Sequence, residues 1–162
     1  PDLYGNFNFN LRYKNLTLET LFTYSYDNDA YNGLRANLES GSNIYNQATS
    51  MQNRWVANGQ KTDIPRAVYK DPMGNSRFSD RWIEDASYLK FKRLMLTYHV
   101  PMRQNFIQSL SVWAAVNNVC TLTKYLGVDP EFSYSTSVLE QGIDGGLTPQ
   151  SRSFQLGVNI NL

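Results

Sequence analysis

The stretch RSFQLGVNINL, from Arg152 to Leu162, alternates apolar and polar side chains without interruption. One face is apolar throughout and consists of Phe154, Leu156, Val158, Ile160 and Leu162. The other face carries no charge and consists of Ser153, Gln155, Gly157, Asn159 and Asn161. Successive side chains of a β-strand point to opposite faces, so this period predicts a strand. The pattern fits a soluble sheet, and it equally fits a transmembrane barrel strand with one face towards lipid and the other towards a wet lumen.

The composition narrows the class of protein. The 162 residues are enough for one domain with a core. Lys and Arg number 15 against 14 Asp and Glu, which argues against a nucleic-acid partner bound through a basic field. Aromatic residues make up 14% of the chain, with 11 tyrosines, and asparagine is abundant. Such a chain suits strands with one wet face and with aromatic rings at a membrane interface.

The sequence carries no signal for a membrane helix or an internal disulfide. Its longest apolar run is VWAAV at 112–116, far below the ~18 consecutive apolar residues of a spanning helix. Barrel strands are apolar only at every second position, so the lack of a long apolar run does not exclude a transmembrane barrel. The one cysteine, Cys120, has no partner for an internal disulfide. The chain begins at Pro1 without a signal peptide, so for an exported protein we expect a fragment or a processed form.

Two further alternating runs lie near the start of the chain. Strands are predicted at about 5–14 (GNFNFNLRYK) and 16–26 (LTLETLFTYSY). The very short break between them predicts a β-hairpin. Arg12 and Glu19 lie on the polar faces of these runs. Burial of these charged side chains in the core of a soluble protein would be costly unless each had a partner.

The remaining strands are predicted at about 88–100, 110–123 and 152–162. The apolar phase changes within the first of these. One extra residue near Lys92-Arg93, a β-bulge, would restore the register.

Two long polar connections, 27–86 and 124–151, join these strands. The first contains apolar residues at helical spacing, namely Ile44, Ala48, Met51 and Trp55. This spacing predicts a short amphipathic helix over 43–58 that ends at Gly59.

The lengths of the connections alternate between short and long, as in outer-membrane barrels with short periplasmic turns and long extracellular loops. This places 27–86 and 124–151 outside the cell, and 14–15 and 101–108 in the periplasm. About five strands cannot close a barrel, which needs at least ~8, and lipid does not tolerate open sheet edges. We therefore predict an all-β, antiparallel segment of a transmembrane β-barrel that other strands must complete.

Three sequence blocks occur in order along the chain. The first, WIEDASYLKFKRLMLTY, matches at Trp82, Asp85, Ala86, Ser87, Tyr88, Leu89, Lys90, Lys92, Leu94, Leu96 and Tyr98. The second matches at Asn117, Asn118, Thr123, Lys124, Tyr125, Gly127, Asp129, Pro130 and Glu131. The third matches at Gly142, Ile143, Asp144, Gly146, Pro149, Arg152, Phe154, Gly157 and Asn159. Together they resemble the C-terminal region of the SusC/RagA family, the TonB-linked outer-membrane transporters of Bacteroidetes, and the resemblance covers essentially the whole chain.

This resemblance implies a barrel of about 22 strands in the cell outer membrane, of which the chain would form the last five or so. The family imports glycans or peptides, and a SusD-like surface lipoprotein caps the barrel as a lid. TonB supplies energy through an N-terminal plug and box, which lie outside this chain. The implied partners are therefore the remaining N-terminal barrel and plug, the lipoprotein, TonB and the lipid bilayer.

The terminal strand also resembles, at Gln155, Gly157, Ile160 and Leu162, the C-terminal signal by which bacterial outer-membrane barrels are recognised for assembly. That signal usually ends in an aromatic residue, and Leu162 departs from it.

No catalytic residue, cofactor or metal is predicted, and the protein is not expected to be an enzyme. A Ser/His/Asp triad would have to rest on the single histidine, His99, for which an interfacial or lumenal strand position is the simpler interpretation. Trp55, Trp82 and Tyr45 of the first long loop are predicted contacts to the substrate or the lid. For the two tryptophans, packing inside the loop is the favoured interpretation over stacking on sugar rings.

Two hypotheses about function remain at this point. One is the C-terminal part of a TonB-dependent nutrient importer. The other is a soluble β-sandwich that serves as a carbohydrate-binding or adhesion module, with a second sheet over the apolar faces. A requirement for detergent distinguishes them, because a sandwich stays monomeric in plain buffer.

Overall fold

The computed structural model describes residues 1–102, 106–131 and 140–161. Leu162, the last residue of the predicted assembly signal, lies outside them. The chain divides into two compact units. The sheet unit comprises residues 1–28, 86–124 and 149–162, and the loop unit comprises residues 29–85 and 125–148.

The secondary structure is mostly β. In chain order the strands are β1 Leu3–Tyr13, β2 Leu16–Tyr26, β3 Asp29–Asn32, β4 Ile83–Asp85, β5 Tyr88–Val100, β6 Ser109–Thr123, β7 Ile143–Asp144 and β8 Ser153–Asn161. An α-helix, α1, spans Gly33–Leu38, and short 3₁₀ helices span Thr49–Asn53 and Asp80–Trp82. Within the described residues, no helix is long and apolar enough to cross a bilayer.

The sheet unit is a five-stranded antiparallel sheet in the order β1-β2-β5-β6-β8. The predicted all-β antiparallel fold is therefore confirmed, and the five long strands lie close to their predicted ranges. β1 and β2 form a hairpin in which Tyr13 pairs with Leu16. Lys14 adopts a φ of 52°, the left-handed conformation that so short a turn requires.

The predicted bulge is also confirmed. On β5, Phe91 pairs with Phe22 and Arg93 pairs with Leu21, so Lys92 is an extra residue opposite neighbouring residues of β2. The pairing of β5 with β6 shifts at the same place. The extra residue returns the apolar side chains of β5 to one face, as the sequence pattern requires.

One face of the sheet carries mainly apolar side chains on all five strands. The register aligns Leu11, Leu18, Leu96, Ala114 and Leu156 in one row. Two rows further along the same face, Phe22 stacks between Phe7 and Phe91, with ring centroids 5.0 and 4.4 Å apart. Leu156 is 83% exposed. An exposed apolar surface of this kind marks contact with another apolar phase or partner.

The opposite face is polar and partly filled by one large ring. Trp113 pairs with Gly157 across β6 and β8. A Cβ atom at position 157 would overlap the indole ring of Trp113, so the ring occupies the space that a larger residue would need. Packing against Trp113 therefore explains why position 157 is a glycine, whether or not this residue belongs to an assembly signal.

We expect Gly157→Ala to lower the yield of assembled barrel in the intact protein, because overpacking costs about 1–3 kcal/mol. The measurement is the fraction that migrates as folded protein in unboiled gels. Trp113→Ala provides the matched background, since removal of the indole makes room for the new methyl group. If Gly157→Ala is equally harmful with Trp113→Ala, position 157 acts through recognition of the signal and not through packing.

The loop unit has a small sheet of its own, in the order β4-β3-β7. β3 pairs antiparallel with β4 and parallel with β7. α1 follows β3 directly, and the side chain of Asn32 caps it by accepting a hydrogen bond from the backbone N–H of Arg35 at 2.9 Å.

The predicted helix over 43–58 is wrong. The helix of this loop is α1, and residues 43–58 are irregular apart from the 3₁₀ turn Thr49–Asn53. The backbone N–H groups here bond to distant carbonyls: Ala48 donates to Leu38 at 3.0 Å and Trp55 donates to Ile64 at 2.9 Å. An α-helix would need those donors for bonds to the preceding turn. Of the apolar positions with helical spacing, Met51 is buried while Ile44 is 86% exposed, so no single face is covered.

Candidate functional site

Trp82 forms the centre of the loop unit, and its side chain is fully buried. Its indole Nε1 donates to the carbonyl of Arg77 at 3.3 Å. The guanidinium carbons of Arg81 and Arg35 lie 4.6 and 5.7 Å from its ring centroid. A side chain without exposed surface has none to offer a ligand, so Trp82 fits the packing alternative of the sequence analysis.

The other two predicted contact residues are placed differently. Tyr45 is 78% exposed, and its backbone N–H donates to Asn43 Oδ1 in a local turn. Trp55 is half-buried beside Ile64. Both therefore present aromatic surface, and their contact with a substrate or a lid stays a prediction.

Glu84 holds three separate segments of the loop unit together. Its Oε1 pairs with Nη1 of Arg35 at 2.7 Å. Its Oε2 accepts hydrogen bonds from Nδ2 of Asn32 at 3.3 Å and from the backbone N–H of Leu126 at 3.1 Å. Arg35 also pairs with Glu39 at 3.1 Å. Partial burial lowers the pKa of Arg35, but the two carboxylates outweigh it and the net pKa is raised, so the cation is stabilised.

A second buried contact joins two segments that are distant in sequence. The hydroxyl of Tyr125 donates to Oδ2 of Asp144 at 2.7 Å. Burial raises the pKa of Tyr125, and the hydrogen bond to Asp144 and the charges of Asp144 and Glu84 raise it further. The phenol therefore stays neutral and remains a donor. Sequence analysis did not single out Glu84 or Asp144 as functional. The one feature of the sequence that could have indicated them is their position inside the blocks that resemble the family.

We expect Glu84→Gln to loosen the loop unit. Loss of the carboxylate leaves Arg35 with Glu39 alone, at a cost of about 1–3 kcal/mol, towards the lower end because Arg35 is partly exposed. Hydrogen exchange of 29–39 and 80–85 in the intact protein measures the loosening. Asp63→Asn, at an exposed position of the same unit, is the control. Unchanged exchange in Glu84→Gln would show that the network contributes nothing to order.

Each of the two units carries a pocket on its described surface. One, of about 240 Å³, belongs to the loop unit and is lined by Tyr31, Gly33, Ala36, Asn37, Ser40, Ser42, Asn43 and Ser76. The other, of about 180 Å³, lies on the polar face of the sheet unit and is lined by Asn8, Asn10, Glu19, Thr20, Leu21 and Arg93. Both offer polar side chains suited to binding.

The Nε2 atom of His99 lies 3.2 Å from Oγ1 of Thr17 on the polar face of the sheet. Over residues 1–102, 106–131 and 140–161, no group of three or more His, Cys, Asp or Glu side chains is arranged to hold a metal. What the described geometry presents is a folded loop unit with exposed aromatic side chains and a polar pocket.

Known proteins similar to this chain are receptors and importers. No family model matches the chain. It is 30% identical over 168 residues to TonB-dependent receptor P3 of Formosa agariphila, and 26% identical over 167 residues to TonB-dependent receptor P26 of the same organism. These matches cover 99% of this chain but only 16% and 17% of the two receptors.

The solved structures that are similar to this chain also include an importer. The RagAB peptide importer in its open-open state matches 98% of this chain with a TM-score of 0.81 and 27% identity. Its closed-closed state matches 97% with a TM-score of 0.80 and 28% identity. In both, this chain covers 17% of the matched chain, so it spans a small part of the length of the proteins it resembles.

Proposed function

We propose that the chain, which is similar over almost its whole length to TonB-dependent receptors and to the RagAB peptide importer, supplies the last strands of a SusC/RagA-type outer-membrane importer of oligomeric nutrients. The observation that carries the proposal is the sheet itself. Five antiparallel strands expose a face that is apolar except at Thr20 of β2, and keep a largely polar opposite face, as lipid on one side and a wet lumen on the other demand.

The remaining strands and the plug belong, in this proposal, to the rest of the importer. They bring the barrel to about 22 strands, cover the two open sheet edges and provide the link to TonB. The soluble β-sandwich has no comparable support, because the described residues of the sheet unit form a single layer.

We further propose that residues 27–86 and 124–151 are extracellular and that they meet a SusD-like surface lipoprotein. The loop unit has its own core and hydrogen-bond network, so it presents Tyr45 and Trp55 on a rigid support. Binding residues are commonly placed on loops that a rigid scaffold positions. The nutrient is a glycan or a peptide oligomer.

A test of the proposed function uses a strain in which the gene for the intact importer is deleted. We expect the strain to lose growth on one oligomeric nutrient and to regain it with the gene. We also expect the protein in the outer-membrane fraction. A soluble protein that purifies without detergent would contradict the proposal.

We expect labelling of single cysteines to report the sides of the membrane. In a Cys120→Ala background, Asn37→Cys should react with an impermeant maleimide on intact cells, whereas Asn15→Cys should react only after lysis. Asn37 is exposed in the loop unit and Asn15 lies in the β1-β2 turn. The sequence also suggests Ser137 outside and Asn105 inside, and both lie outside the described residues. A reversed pattern inverts the topology, and equal labelling contradicts the barrel.

A further inference from the structure

The dipeptide Asn-Gly occurs twice in the chain, at Asn32-Gly33 and at Asn58-Gly59. Asparagine is a thermolabile residue, because the backbone nitrogen of the following residue can attack its side-chain amide carbon and close a five-membered ring. A following glycine favours this attack, since it has no side chain to shield the nitrogen and its backbone rotates freely. The fold then decides which of the two pairs reacts.

Asn58 and Gly59 form the tip of an exposed turn. The backbone N–H of Gln60 donates to the carbonyl of Ala57 at 3.3 Å, and Gly59 adopts a φ of 89°, as the third residue of a type II turn does. Residues 56–61 are all exposed. A Cβ atom at position 59 would meet no atom of the described residues within 4 Å apart from its chain neighbours. Both reacting groups are therefore open to water and have room to move.

Among the residues that the structure describes, the two reacting groups of this turn, the backbone N–H of Gly59 and the side chain of Asn58, make no hydrogen bond. The N–H can lose its proton to water or hydroxide without first breaking a bond in the protein. The side-chain amide can rotate towards the nitrogen for the same reason. The attack therefore requires only a local rearrangement of the turn.

The other Asn-Gly pair is locked in place. Asn32 is 1% exposed. Its Nδ2 atom donates to Oε2 of Glu84 at 3.3 Å, and its Oδ1 atom accepts from the backbone N–H of Arg35 at 2.9 Å. Attack on this side chain would break both bonds and would remove the cap of α1. The loss of two such bonds raises the barrier enough to slow the reaction by at least about tenfold.

A third asparagine, Asn75, precedes a small residue and is protected in another way. The backbone N–H of Ser76, which would have to attack, donates to Oδ2 of Asp71 at 2.7 Å. The backbone N–H of Asn75 donates to Oδ1 of the same carboxylate at 2.9 Å. Hydrogen bonds to a carboxylate are among the strong ones. They keep the proton on the Ser76 nitrogen and hold that nitrogen away from the side chain of Asn75.

We propose that Asn58 is a site of spontaneous deamidation, whereas the fold protects Asn32 and Asn75. The deprotonated nitrogen of Gly59 forms a bond to Cγ of Asn58, and the C–N bond of the side-chain amide breaks. The NH₂ group takes up a proton from water and leaves as ammonia. Water then opens the ring at either carbonyl and gives aspartate or isoaspartate. The net reaction consumes a water molecule and releases ammonia, and it is independent of the proposed importer function.

The products change the surface of the loop unit. Either one adds a negative charge at position 58. Isoaspartate also carries the backbone through its Cβ atom, which lengthens the turn and breaks the hydrogen bond from Gln60 to Ala57. The side chain of Gln60 holds the same segment, because its Oε1 accepts from the backbone N–H of Val56 at 2.9 Å and its Nε2 donates to the carbonyl of Arg54 at 3.1 Å. We therefore expect faster hydrogen exchange at Val56 in the isoaspartate form.

The test follows the intact, detergent-purified importer during incubation in warm, mildly alkaline buffer. Mass spectrometry of proteolytic peptides measures the replacement of NH₂ by OH at each asparagine, and an isoaspartyl methyltransferase measures isoaspartate. We expect Asn58 to deamidate at least about tenfold faster than Asn32 or Asn75. The rate should rise with pH, because the attacking nitrogen must lose its proton. In the same protein unfolded in urea, Asn32 should react about as fast as Asn58, since each then precedes an unconstrained glycine.

Asn58→Gln is the matched control, because it keeps an exposed amide but would have to close a less favourable six-membered ring. Its peptide should stay unmodified over the time in which Asn58 is half converted, and the methyltransferase signal should disappear. Equal rates at Asn58 and Asn32 in the folded protein would overturn the proposed protection. An Asn58 that stays unmodified in the folded protein, or a methyltransferase signal that persists in Asn58→Gln, would overturn the site.

Discussion

Val158→Arg is expected to remove most of the assembled importer from the outer membrane, while Asn159→Arg leaves most of it in place. The two residues are neighbours on β8 but point to opposite faces of the sheet. Val158 pairs with Val112 on the apolar face, and Asn159 pairs with Ser111 on the polar face. An arginine on the lipid side of a barrel costs roughly 2–4 kcal/mol near the bilayer midplane, whereas a lumenal arginine stays in water.

The measurement is the amount of each variant in the outer-membrane fraction, together with its folded fraction in unboiled gels. Asn159→Arg is the matched control because it places the same side chain one residue away on the same strand. Equal losses in the two variants would mean that the faces are assigned wrongly, or that β8 tolerates no arginine on either side. Equal tolerance would mean that the apolar face does not meet lipid.

The long strands were predictable because each is long enough for its alternation to be unmistakable. β8 alternates along its whole length and β1 alternates from Asn6 onwards, and the phase change within β5 located the bulge at Lys92. Because one face of each strand is apolar and the other is polar, a shift of the register by one residue would turn every apolar side chain to the polar face. The sequence pattern therefore determines the register as well as the strands.

The loop unit was not predictable in the same way. β3 and β7 contain four and two residues, too few for a period to be recognised, and α1 contains only six. Their stability comes from contacts far apart in sequence, such as Arg35 with Glu84 and Tyr125 with Asp144. The helical spacing of Ile44, Ala48, Met51 and Trp55 misled because this segment folds back on Leu38 and Ile64.

The candidate site was also predictable only in part. The tryptophans stood out in the sequence because of their type, yet Trp82 is buried in the core of the loop unit. The pocket of the loop unit was not foreseen, since Tyr31, Ser42 and Ser76 come together only in the folded chain. Residue type indicated that the long loop carries surface for binding, whereas the structure was needed to separate core from surface.

Tyr45→Asp is expected to weaken the association with the proposed lid lipoprotein by more than tenfold. Tyr45 is 78% exposed and adjoins Ile44, which is 86% exposed, so the two form an apolar projection from the loop unit. Exposed tyrosines that become buried in an interface are typical hot spots, worth at least about 2 kcal/mol when removed. A buried aspartate in their place also leaves a charge without a partner. A point substitution is preferable to shortening the loop, because a deletion between Gly33 and Gly74 would remove Arg35 and the ion pair that supports the unit.

Co-purification of the lid with the intact importer measures the effect, and growth on the oligomeric nutrient reports its consequence. Asn46→Asp is the matched control, since it adds the same charge at the next exposed position without removing an apolar side chain. Hydrogen exchange of 29–39 should be unchanged in both variants, which shows that the loop unit stays folded. If Tyr45→Asp keeps its lid as well as Asn46→Asp does, Tyr45 is not part of the lid interface, and the proposed contact must then rest on another exposed side chain of the loop unit.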